Sequence, residues 1–112
     1  MKALFVELPA FTRHRPEYLD DEGFRALQNE LMEQPEKGDV IEGTGGLRKV
    51  RRPDPRRGKG KRGGLRLIYF WWADGLQFWL FTLYDKAGMD DLSAREKALL
   101  REMLKRELDA RR

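Results

Sequence analysis

A chain of 112 residues with no Cys and a single His fits one domain, and it lacks the side chains for disulfides, thiolate metal centres or the common zinc and iron sites. Its 23 Lys and Arg against 19 Asp and Glu give a net charge of +4. The longest apolar run, residues 67–73, is far too short to span a bilayer, and the start Met1-Lys-Ala-Leu-Phe-Val-Glu has no signal-peptide core, so a soluble cytoplasmic protein without a membrane role is expected.

Residues 3–7 are apolar, alternate weakly and stop before Pro9, which suits a short first strand. Helical material follows. Asp20 is placed to cap the free amides of Glu22 and Gly23, with Leu19 and Phe24 as a hydrophobic staple, and the helix it starts runs to about Gln34, ahead of Pro35. Phe24, Leu27, Gln28 and Leu31 share one stripe at helical spacing, which predicts packing on a sheet. Residues 39–41 lead through Gly43-Thr-Gly-Gly into a second strand over 47–52. That turn lacks the Lys-Ser/Thr and helix start of a phosphate loop and is not read as one.

The region 48–66 holds ten Lys or Arg and one acid, Asp54. The chain total of +4 less this local +9 leaves −5 elsewhere, so the molecule is electrically polarised and a polyanion is its natural partner.

Residues 65–73 and 76–84 are two aromatic and aliphatic runs separated by Asp74-Gly75, the dipeptide suited to a two-residue type I′ hairpin. With Ala73 facing Leu76, Arg66 lies opposite Leu83, Ile68 opposite Phe81 and Phe70 opposite Trp79 on one face. Leu65, Leu67, Tyr69 and Trp71 meet Tyr84, Thr82, Leu80 and Phe78 on the other. Both faces are apolar, so one packs on the helices and the other on a terminal helix or a partner chain. Ser93-Ala-Arg-Glu96 reads as a capping box for a last helix with Ala98, Leu100, Met103, Leu104 and Leu108 as its apolar stripe. The expected fold is a small α+β domain of order β-α-α-β-β-β-α: a mainly antiparallel sheet with helices packed on one face and a basic rim.

Clustered Lys and Arg give phosphate affinity, and nearby aromatics stack on unpaired bases. The cations sit on strands and a loop, with no helix-turn-helix or finger spacing, so RNA fits better than duplex DNA. Cleaving RNA through its own 2′-hydroxyl needs a base, charge stabilisation at the pentavalent phosphate and an acid, but no metal or other cofactor. With one His the usual His pair is unavailable. Lys in a cationic cluster is the substitute base, because like charges favour its neutral form, whereas Arg stays charged and stabilises.

Gly43-Thr-Gly-Gly-Leu-Arg-Lys-Val-Arg, Gly58-Lys-Gly-Lys-Arg-Gly-Gly-Leu-Arg-Leu-Ile-Tyr, Phe81-Thr-Leu-Tyr-Asp-Lys and Asp91-Leu together resemble the RelE superfamily of bacterial toxins, in particular the HigB branch. The resemblance covers nearly the whole chain and implies a ribosome-dependent mRNA endonuclease, held silent by a cognate antitoxin, with a helix-turn-helix protein expected as that antitoxin. It carries the phosphate-stabilising Arg onto Arg66, a pair of strand cations onto Lys49 and Arg51, one of them acting as base, and a basic residue near the leaving group onto Lys86. Lys86 stands where Arg is frequent, exchanging a bidentate donor for a point charge. Arg48, Lys59, Lys61 and Arg62 are assigned to holding RNA.

Tyr84 is a candidate acid, yet the hairpin register puts it on the face opposite Arg66. Either the strand end bulges or Tyr84 stands outside the site. Without the resemblance, Lys49 and Arg51 read as polar residues of an exposed strand face, Lys86 as part of a turn, His14 as a packing or capping residue, and the three Trp as core or antitoxin-facing. Two alternatives stay open: a non-catalytic inhibitor of the ParE type that poisons gyrase, and a plain RNA-binding module.

Overall fold

The computed structural model describes residues 2–53, 64–85 and 92–111. Its elements run β1 (Leu4–Glu7), α1 (Pro9–Tyr18), α2 (Asp21–Glu33), β2 (Asp39–Val40), β3 (Arg48–Arg52), β4 (Leu65–Trp72), β5 (Gln77–Asp85) and α3 (Ala94–Arg111). This is the expected α+β order, with residues 39–40 forming a further short edge strand before the Gly-rich turn. The strands form one five-stranded sheet in the order β1-β5-β4-β3-β2, antiparallel except where β1 lies parallel to β5. Among the described residues no helix is long and apolar enough to cross a membrane.

The local signals are met where expected. Asp20 accepts from the Gly23 amide at 2.7 Å and starts α2. Ser93 and Glu96 exchange both capping-box bonds at the head of α3, at 2.8 and 3.1 Å. Thr44, fully buried, donates to the Ile41 carbonyl and accepts from the Leu47 amide, which closes the Gly-rich turn from inside.

Alternation along the central strands sends side chains into two cores. Leu65, Leu67, Tyr69, Phe78, Leu80 and Leu83 pack with Leu27 and Leu31 of α2 and with Phe11 of α1. Ile68, Trp79, Phe81 and Tyr84 pack on the other side with Leu104 of α3. The apolar surplus on the second hairpin face is therefore covered by the terminal helix. Burying two faces of one hairpin at about 25 cal/mol per Å² makes β4 and β5 the mechanical centre of the molecule.

The hairpin departs from its expected geometry twice. The turn is a four-residue one, closed by the Leu76 amide on the Ala73 carbonyl at 3.2 Å, and its left-handed residue is Leu76 with φ 51. Gly75 does not have a positive φ. A Cβ there would lie 2.4 Å from the Trp72 ring, so Gly75 is needed for the close approach of an indole and not for a type I′ turn. The second departure is in register. Pairing follows the expected register from Trp72 opposite Gln77 to Tyr69 opposite Leu80, then slips by one, so that Ile68 meets Thr82 and Arg66 meets Tyr84. Phe81 is the extra residue of a β-bulge.

Candidate RNA-cleavage site

The bulge decides which side chains meet. In the register expected from the sequence, Leu83 lies opposite Arg66 and Tyr84 points to the α2 side. With Phe81 bulged, Tyr84 comes onto the α3 side directly across from Arg66. On the other flank, Arg51 of β3 pairs with the same Arg66, and Lys49 pairs with Ile68 one step along. Arg51, Arg66 and Tyr84 thus form one row across three strands, with Lys49 next to it on the same face. Directly opposed residues in such ladders are about 5 Å apart, the span over which several side chains can grip one phosphodiester.

Arg66 is only 4% exposed, and its Nη1 is buried with no hydrogen-bond partner. One buried donor left unpaired and a second Arg directly opposite are unfavourable for an isolated fold, because the desolvated N–H is not compensated and like charges repel. An oxyanion set against this row would give that N–H an acceptor.

The other cations of β3 behave differently. The Arg48 Nη1 donates to the Gly38 carbonyl at 2.8 Å, and its Nη2 lies 3.2 Å from the Glu36 carboxylate. Arg52 is in an ion pair with Glu30, which also binds the Lys37 ammonium at 2.5 Å. Burial pushes the Glu30 carboxyl up, but the Lys37 bond and the Arg52 charge outweigh it and hold the group below the usual Glu value. Tyr69, beside them, donates to the Pro35 carbonyl at 2.8 Å and accepts from the Gly38 amide at 3.0 Å; burial raises its phenol above the ordinary value. Even-numbered β3 cations therefore hold the sheet to α2 and the 35–38 turn, whereas odd-numbered ones stand on the α3 face. Arg48, assigned from the sequence to RNA, sits with the first set, away from the Arg66 row. Lys59, Lys61, Arg62 and Lys86 lie outside the described residues, as does most of the basic loop.

Beyond Tyr84, at the end of β5, lies a pocket of about 460 Å³ between α1 and α3, lined by residues of both sheet faces. His14, expected only to pack or cap, lines it together with Tyr18, Asp85 and Glu96. Nothing in the local sequence marks these four, since they come together only when α1 and α3 are both laid against the end of β5.

No protein-family model matches the chain. Among solved structures it is similar to a mutant form of the E. coli toxin RelE in the free state, with 12% identity and a TM-score of 0.58 over 90% of this chain and 98% of that one. It is also similar to a chain of the intact E. coli RelBE toxin–antitoxin complex, with 15% identity and a TM-score of 0.54 over 75% of this chain and 96% of that one. At these identities the likeness is one of fold: the chain has a RelE-like architecture.

Proposed function

We propose that this RelE-like chain is the toxin of a toxin–antitoxin pair, of the HigB branch, and that it cuts messenger RNA on the ribosome. The observation that supports the reading is the buried Arg66 guanidinium set between Arg51 and Tyr84, with its Nη1 unpaired among the described residues. A scissile phosphodiester fits it. Lys49 takes the proton of the RNA 2′-hydroxyl, since a guanidinium does not give up its charge to act as base. The 2′-oxygen bonds to phosphorus as the bond to the 5′-oxygen breaks; Arg51 and Arg66 stabilise the added negative charge, and Tyr84 passes its proton to the departing 5′-oxygen. The products are a 2′,3′-cyclic phosphate and a 5′-hydroxyl. This scheme uses no metal.

Lys86 is kept for the leaving-group side, and Lys59, Lys61 and Arg62 for holding RNA, on the resemblance of the sequence alone. A cognate antitoxin, of the helix-turn-helix type, is the proposed protein partner; the fold likeness to a chain of the RelBE complex supports that partner class.

Primer extension on a translated message tests the reading. Cuts within codons are expected from the parent protein and none from Arg66→Ala. Growth arrest without cuts, accompanied by altered supercoiling in a gyrase assay, favours a ParE-type inhibitor. RNA binding with neither effect leaves a plain binding module.

A further inference from the structure

The pocket beyond Tyr84 has a chemistry opposite to that of the row it adjoins. Arg51 and Arg66 draw phosphate, but the pocket has Asp85 and Glu96 on its walls and, among its described lining residues, no Lys or Arg. The Glu96 carboxylate disfavours phosphate there. What the walls do offer is the phenol rings of Tyr18 and Tyr84, an apolar floor that includes Ile68, and acceptors at the edges. A flat, uncharged ring bearing N–H donors satisfies all three. At about 460 Å³ the space falls within the roughly 300–1,000 Å³ usual for small-ligand sites.

Resting on the ribonuclease reading above, we propose that this pocket receives the unstacked nucleobase next to the scissile phosphate and selects bases that carry an exocyclic amino group. Tyr84 belongs to both the row and the pocket, so a nucleotide whose phosphate rests on Arg66 can reach past Tyr84 with its base to the edge of β5 between α1 and α3. Glu96 is already aimed: its Oε1 accepts from the Ser93 amide at 2.8 Å, and a carboxylate retains acceptor capacity for a base amino group beyond that bond. His14, half-buried on α1, supplies a ring nitrogen at the opposite wall. Uracil, which has no amino group, gains least from such a site.

Two variants test it on the full-length protein acting on a translated message, with cut positions mapped by primer extension. Glu96→Gln keeps the capping box, because Gln serves the same bond, but replaces a pure acceptor by an amide. The expected result is a several-fold loss of discrimination against uracil at the cut site. Leu99→Trp changes a rim residue that is 58% exposed, so it is tolerated by the fold while placing an indole over the pocket mouth. Cutting should fall between about fivefold and a hundredfold, the range associated with one base stack, with ribosome binding unchanged. If the parent cuts and Glu96→Gln leaves both rate and base preference untouched, the pocket proposal is overturned while the ribonuclease reading stands, whatever Leu99→Trp does. Unchanged cutting with lost antitoxin neutralisation also overturns it and makes the pocket a protein-docking site. A parent protein that cuts nothing removes the ribonuclease reading and this inference together.

Discussion

On the α2 side of β3, Arg48 and Arg52 end on Glu36 and Glu30, whereas on the α3 side of the same strand Arg51 stands across from Arg66 and the buried Nη1 of Arg66 has no acceptor. The residues differ by one position in a five-residue strand, and their surroundings are opposite. Cations supplied with acids hold elements together. Arg66 instead leaves one buried donor unpaired among the described residues, which costs stability unless a bound group accepts from it.

The contrast can be broken most decisively at Arg66. Arg66→Ala is expected to lower RNA cleavage about a hundred- to a thousandfold, the usual effect of removing one donor to developing phosphate charge. Urea unfolding of the same variant should move by less than about 1 kcal/mol, and toward greater stability, because a like-charge opposition disappears. A loss of several kcal/mol places Arg66 with the structural cations instead. The mirror experiment is Tyr69→Phe, which orphans the Pro35 carbonyl and the Gly38 amide: stability falls by about 1–3 kcal/mol in denaturant titration, with the cleavage rate of the folded fraction intact.

A smaller effect attaches to Glu30. Its folded carboxyl is held below the ordinary Glu value of 4.5, so its contribution is fully present above about that pH and fades as acid carries the protein down through the lowered value. Glu30→Gln should therefore cost up to about 1 kcal/mol at pH 7, a figure kept low because the pair is partly exposed. The gap between parent and variant should narrow in unfolding curves taken at progressively lower pH below 4.5; a gap that widens contradicts the assignment. Smallest of all, Leu76→Gly relieves a left-handed non-Gly residue whose side chain is 48% exposed, and a rise in melting temperature equivalent to under about 1 kcal/mol is expected.

Much of the fold was legible because its signals are local. Asp20, Ser93 and Glu96 mark helix starts by their own hydrogen bonds, and Asp74-Gly75 marks a chain reversal whatever the turn type. The candidate site was legible only in part. Lys49, Arg51 and Arg66 stand two residues or one strand apart, and alternation places them on one face. Tyr84 was not placeable, because register is read from an apolar face opposed to a polar one, and here Leu80, Phe81, Leu83 and Tyr84 are all buried. A one-residue slip leaves such a pattern looking the same. The pocket residues His14 and Glu96 were out of reach for another reason: they lie on helices far apart in the chain that approach only through tertiary packing.

The parallel pairing of β1 with β5 sets the timetable of assembly. Leu4 takes Gln77 as its partner, and Phe5 stacks on Phe78 with ring centres 4.8 Å apart, so β1 has no seat until β5, about seventy residues later in the chain, is made. At about 5–20 residues per second that wait lasts several seconds. Until then β1 has no pairing partner, and a chain stalled before residue 77 should leave Leu4–Glu7 open to proteolysis. Closure of the sheet thus waits on the synthesis of β5.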